Sequence, residues 1–192
     1  MKKLHSFDEV FDGQKVFRTI LEGMSNPGRI LSISEQAEKL YGDDAAFLAL
    51  AITLLDNEVS FFACKNAGLS ENIPLLTLSS ETDMENADYI FVNDSEMLEE
   101  IFEKAKIGSL ADPQQSATIF IKTELGGDKE LKLYGSGIDK EISLFVSDVV
   151  YRAVNLRDKQ KYEYPQGVDM VFVSKESNIL CIPRLCLQKG EK

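Results

Sequence analysis

The chain has 192 residues, enough for one domain with a sizeable core. Hydrophobic residues make up 44% and charged residues 28% of it, a globular composition that excludes disorder throughout. Lysine and arginine total 21 against 32 acidic residues, and the net charge of −11 argues against nonspecific binding to nucleic acid or an anionic membrane, so any bound anion must meet a local positive site.

The opening Met1-Lys2-Lys3-Leu4-His5-Ser6-Phe7-Asp8 lacks the apolar run of a secretory signal, and a cytoplasmic location is expected. His5 is the only histidine. A Ser-His-Asp relay, a two-His zinc site or a 2-His-1-carboxylate iron site would each have to draw on it, so none of these, and no metal, is expected. Across 12–25, Val16, Phe17, Ile20, Leu21 and Met24 recur at i, i+1, i+4, i+5 and i+8, the mark of one buried face of an amphipathic helix. Asn26-Pro27-Gly28 stops that helix, because proline cannot continue its hydrogen bonding, and 29–33 follows as a short strand. The nearly unbroken apolar stretch 43–55 is shorter than the roughly 20 residues of a membrane span. It reads as a buried helix capped by Asp43 or Asp44.

Residues 59–64 are β-branched and aromatic and predict a strand; 75–78 predict a weaker one; 89–92 predict a short, fully buried one. Ser95 then offers an N-cap to a helix carrying Met97, Leu98, Ile101, Phe102 and Ala105. Runs 117–122 and 130–134 predict a hairpin joined across Gly126-Gly127-Asp128 and closed by 135–138. Leu144, Val146, Val149, Val150 and Ala153 mark another helix, ending at a polar run, 157–161, that reads as a solvated loop. Runs 170–173 and 179–182 predict two adjacent strands, the second halted by Pro183. The sum is an α/β fold, a three-layer sandwich with a mixed sheet and helices on both faces. No repeat or linker divides it, so 1–192 is one domain.

Candidate chemistry is sparse. Cys64, Cys181 and Cys186 are odd in number and show no CxxC spacing, which suits reduced, buried thiols. Gly135-Ser136-Gly137 follows a strand and could turn its amides to a phosphate or phosphonate, but Lys140 holds the place of the third glycine of a dinucleotide fingerprint, and a plain turn is the other reading. There is no GxxxxGK[ST] loop. Arg18, Arg29 and Arg184 are the arginines placed to grip a carboxylate or phosphate, or to form structural ion pairs. Asp169 and Asp56 either pin their turns or act on a ligand.

Four ordered motifs resemble one family. Phe17-Arg18-Thr19-Ile20-Leu21-Glu22-Gly23-Met24-Ser25-Asn26-Pro27-Gly28 is similar to the F-R-x-L-L-x-A-M-x-x-P-G near the start of PhnH, a subunit of the bacterial carbon-phosphorus lyase system. Leu133-Tyr134-Gly135-Ser136-Gly137-Ile138 resembles its L-x-G-x-G-I, Tyr164-Pro165-Gln166-Gly167-Val168-Asp169 its F-P-L-G-x-D, and Ile182-Pro183-Arg184 the start of its P-R-T-T motif; Leu54-Leu55-Asp56 also matches a helix end. The chain departs where Leu185-Cys186 replace two hydroxyl residues and Gln166 replaces a leucine.

The resemblance implies a fold similar to the large domain of pyridoxal-phosphate-dependent transferases but without that cofactor, and no cofactor is expected. It also implies a homodimer, and partners among the other subunits PhnG, PhnI and PhnJ. The implied activity is attachment of an alkylphosphonate to the ribose C1 of ATP, displacing adenine to give ribose 1-phosphonate 5-triphosphate. PhnI is the subunit usually given that chemistry, so a noncatalytic assembly role is expected, with catalytic residues unassigned. The alternative is a phosphonate or triphosphate site built from Arg18, Arg184, Gly135, Ser136 and Gly137. No sequence feature identifies the dimer interface.

Overall fold

The four- and five-residue apolar runs become the strands of a seven-stranded mixed sheet in a computed structural model that describes residues 5–160 and 162–189. In chain order the elements are α1 (Phe11–Ser25), β1 (Ile30–Ser32), α2 (Ser34–Ala37), α3 (Ala45–Leu54), β2 (Ser60–Cys64), α4 (Ala67–Thr77), β3 (Ser80–Glu81), β4 (Tyr89–Val92), α5 (Leu98–Lys104), β5 (Thr118–Lys122), β6 (Gly126–Gly135), β7 (Ile142–Val146), α6 (Asp148–Lys159), β8 (Asp169–Val173), β9 (Asn178–Ile182) and β10 (Cys186–Gln188). The large sheet runs β1-β9-β8-β5-β4-β2-β3. From β8 to β3 its strands are parallel; β9 reverses beside β8, and β1 pairs antiparallel with β9.

Strand alternation sends side chains to two cores. Phe61, Phe91, Phe120, Val171, Ile179 and Cys181 face α1, α2, α3 and α4, where the Phe91 and Phe120 rings stack with centroids 4.9 Å apart. Ile90, Ile119, Ile121, Met170, Phe172 and Ile182 face α5, α6 and a small antiparallel sheet, β10-β6-β7. The mixed sheet with helices on both faces is as expected, with the small sheet sharing the second face. Helix α1 lies close on β9: a Cβ on Gly23 would fall 2.7 Å from Cys181 Sγ.

Local structure departs from the sequence reading where a short run carries two periodicities. Residues 75–78 are no strand but the end of α4, which Asn66 caps by accepting from the Leu69 amide at 3.1 Å and which ends with Leu78 in left-handed backbone. Leu69, Ile73 and Thr77 are its buried stripe. The hairpin of 117–134 does not form. All three central residues of β5 are buried, so it sits between β4 and β8, while β6 joins the other sheet. Gly126 and Gly127 open β6 instead of turning, and a Cβ on Gly127 would lie 2.5 Å from the Val146 carbonyl.

Leu144 and Val146 belong to β7, and α6 starts after Ser147, whose hydroxyl accepts from the Val150 amide. The supposed loop at 157–161 is largely the last turn of α6, with Arg157 only 1% exposed; Lys161 lies outside the described residues. Asp94, not Ser95, accepts from the Glu96 amide and opens a 3₁₀ turn ahead of α5. On α1 only Val16 and Ile20 of the leading apolar pairs point inward; Phe17 and Leu21 are exposed. No helix among the described residues is long and apolar enough to cross a membrane.

Candidate functional site

Because β9 reverses, its end returns to the amino-terminal edge of the parallel strands, and this places Pro183-Arg184 beside Asp169, the first residue of β8. The Arg184 amide donates to Asp169 Oδ1 at 2.8 Å and its guanidinium to Oδ2 at 2.7 Å, while a further guanidinium nitrogen donates to the Pro113 carbonyl. Arg157, reaching from α6, donates to the carbonyls of Pro183, at 3.0 Å, and Cys186 and to Asp158 Oδ1 at 2.8 Å. Asp158 Oδ2 in turn accepts the Gln188 amide at 2.6 Å. Two arginines thus hold one tight turn from opposite sides, with donors matched to carbonyl and carboxylate oxygens.

Gly135 has φ of +121°, and a Cβ there would strike the Leu185 carbonyl at 2.1 Å, so glycine is what lets β6 meet this turn. The same carbonyl accepts the Ser136 amide at 3.2 Å, and the Gly135 carbonyl accepts the Ile138 amide at 3.1 Å. Gly135, Ser136, Arg157, Tyr162, Arg184 and Leu185 help line a groove of about 480 Å³. The Tyr162 hydroxyl is buried without a partner among the described residues, and burial pushes its pKa up to about 12, which keeps it a neutral donor. Arg18 and Gly137 do not join this lining. Arg18 is exposed on α1, and Gly137 packs on Pro27. Arg29 pairs with Glu22 at 2.8 Å, and Asp56 pins its own turn by accepting the Glu58 amide.

A second polar cluster occupies the opposite, carboxyl edge, where open α/β sheets commonly place their ligands. Asp44 precedes α3 but makes no cap bond with that helix. Its carboxylate accepts from Asn66 after β2 at 2.8 Å, Asn93 after β4 at 3.1 Å and Lys122 at the end of β5 at 2.9 Å. Burial raises its pKa, but hydrogen bonds from Asn66, Lys122 and Asn93 and the lysine charge outweigh that and hold it below the usual carboxylate range. Asp44, Lys122 and Lys175 border a cavity of about 480 Å³. Sequence reasoning missed this cluster; the available signal was a polar residue closing each of three buried strands.

The thiols are buried and free, and burial drives the pKa of Cys181 to about 12 and of Cys186 to about 11, so neither is a thiolate near neutrality. Among the described residues no three His, Cys, Asp or Glu side chains are grouped to hold a metal ion.

A three-layer α/β protein whose chemistry-bearing motifs gather at one sheet edge is the class that fold and site define. The family model of PhnH, described as bacterial phosphonate metabolism protein, matches residues 5–186, and the chain belongs to this family. It is 28% identical over 172 residues to HtxG of Stutzerimonas stutzeri, whose name gives it provisionally as a C-P lyase subunit; the match covers 89% of this chain and 83% of that one. It is 25% identical over 181 residues to the alpha-D-ribose 1-methylphosphonate 5-triphosphate synthase subunit PhnH of Rhizobium meliloti (strain 1021), covering 92% and 90%.

Proposed function

We propose that this chain is a subunit of the C-P lyase assembly, required for forming ribose 1-phosphonate 5-triphosphate from ATP and an alkylphosphonate. Its role is assembly, without a complete active site of its own. One observation carries the reading: the family match spans residues 5–186, and both relatives are named as subunits. The amino edge supports it, since the donors of Arg157 and Arg184 go to the chain's own carbonyls and carboxylates. In this reading the chain works in the cytoplasm as a homodimer and with PhnG, PhnI and PhnJ. A fold like the pyridoxal-phosphate transferase large domain is part of it, supported by the seven-stranded mixed sheet with helices on both faces.

The test is reconstitution from purified subunits, with the triphosphate product measured from ATP and methylphosphonate. Product is expected only when this chain is present, and none from this chain alone. Normal output without it would sink the proposal.

A second reading has one observation in its favour: Arg184 and Gly135-Ser136 share a groove with the unpartnered Tyr162 hydroxyl. There the groove contributes an anion site to a shared active centre. Calorimetric titration with ATP and methylphosphonate separates the two readings. Saturable binding lost in Arg184→Ala with assembly intact supports the ligand site; loss of fold or assembly in that variant supports the structural role.

A further inference from the structure

Helix α3 begins without the carboxylate that its sequence supplies. Asp44 stands at the N-cap position, but its side chain is drawn away to Asn66, Asn93 and Lys122, and no side chain caps the helix. The Ala45 amide bonds to the Gly42 carbonyl at 3.3 Å and the Leu48 amide to the Asp44 carbonyl at 2.9 Å, which leaves the amides of Ala46 and Phe47 with no acceptor among the described residues. Both residues are buried, at 9% and 1% exposure, and both line the cavity of about 480 Å³ at the carboxyl edge. Buried amides are nearly always paired, so these two donors require an acceptor that the described chain does not provide.

The same cavity carries cationic donors with capacity to spare. Lys175, exposed at its rim, has no ion pair among the described residues. Lys122 spends two of its three ammonium hydrogens, on Asp44 Oδ1 at 2.9 Å and on the Asp43 carbonyl at 2.7 Å. Topology singles out this place as well. From β2 the chain passes by α4 to β3 on one side, and from β4 by α5 to β5 on the other, with the two helices on opposite faces, so the direction of winding reverses where Asn66 and Asn93 meet Asp44. Open α/β sheets bind ligands outside the carboxyl ends of their strands at such a reversal.

We propose that this cavity binds a small carboxylate anion, whose oxygens accept from the Ala46 and Phe47 amides in place of the diverted Asp44 side chain, with Lys175 alongside. A carboxylate is the group that a helix's first turn ordinarily holds at these amides, where the helix dipole favours negative charge. The cavity also limits the ligand's charge. Lys122 and Lys175 are balanced by Asp43 and Asp44, so the positive surplus comes from the amides and suits a single carboxylate; a nucleoside triphosphate would bring several negative charges beside two acidic residues. Gly42, Ala45 and Val173 add small apolar walls for a body of a few carbons.

This site lies on the opposite edge from the Arg184 groove and needs nothing of the function proposed above. The test is titration of the isotopically labelled protein with acetate, lactate, inorganic phosphate and ATP, followed by the backbone amide signals in NMR. Acetate and lactate should each shift the Ala46 and Phe47 signals saturably, with a Kd near the millimolar range expected for so few atoms. Lys175→Ala should weaken that binding by about three- to fivefold, the worth of an exposed ion pair, with an unchanged urea midpoint, and Lys175→Glu should weaken it further. Arg184→Ala should bind as wild type does. Shifts that never saturate, or that spread over surface lysines while Ala46 and Phe47 stay in place, would overturn the proposal. Phosphate or ATP binding there more tightly than acetate would overturn the carboxylate assignment.

Discussion

The two edges of the large sheet use charge in opposite ways. At the amino edge, arginines spend their donors on main-chain carbonyls and on adjacent carboxylates, so the charges lock backbone turns into place. At the carboxyl edge, three side chains converge on the Asp44 carboxylate, with Lys122 donating also to the Asp43 carbonyl at 2.7 Å, and Lys175 stays exposed at the rim of a cavity. The first arrangement fixes main-chain turns; the second ties residues at the carboxyl ends of three parallel strands to one carboxylate. Family motifs of this chain fall mostly at the edge that holds shape.

That contrast can be broken most forcefully at Arg157. Its guanidinium is buried and serves two carbonyls and Asp158, so Arg157→Ala should cost about 3–5 kcal/mol in urea unfolding, the amount seen when one partner of a buried ionic contact is removed. A loss below ~1 kcal/mol would mean that water replaces the guanidinium and the amino edge is no lock. Arg184→Ala should cost less, about 2–3 kcal/mol, because its pair with Asp169 is about one-fifth exposed.

Asp44→Asn probes the other edge, with an expected loss of about 1–2 kcal/mol at pH 7. The folded pKa of Asp44 lies below its ordinary value of 3.8. Its contribution is therefore fully present above about pH 4 and is lost as the pH falls through the folded pKa. Wild type should lose stability over that window, and the asparagine variant should show a flatter acid limb. An identical acid limb in the two proteins would place the acid sensitivity elsewhere. The smallest effect concerns the thiols. Native protein at pH 8 should react with a thiol reagent only slowly, and Cys64, at the end of β2 on the carboxyl edge, should react before Cys186, as peptide mapping of the modified protein would reveal.

How much of this was legible follows from distance along the chain. The central strands were readable because each is apolar on both faces, and β8 and β9 because they are neighbours in sequence as well as in space. The hairpin error at 117–134 has the opposite cause: local adjacency suggested pairing, but the burial of Ile119, Phe120 and Ile121 together demanded a central position that only β4 and β8 could supply. Arg157 looked like part of a solvated run because its acceptors, Pro183 and Cys186, lie 26 and 29 residues away. At the carboxyl edge, Asp44 and Lys122 are 78 residues apart, and no local pattern joins them. Gly135, Ser136 and Arg184 do share a groove, whereas Arg18, picked with Arg184 for its charge and likewise inside a motif, sits on the outer side of α1, and Gly137 packs on Pro27.

The pairing of β1 with β9 sets a timetable for synthesis. Ile30 bonds opposite Leu180, and Gly23 is shaped to receive Cys181, so α1 and β1 complete their packing only against a strand made much later in the chain, although α3 meets α1 early. Until β9 is made, α1 has α3 to lean on but lacks its place on the sheet. Nascent chains truncated before residue 178 should accordingly be held by chaperones and cut readily within 11–32, and that vulnerability should vanish once β9 has emerged.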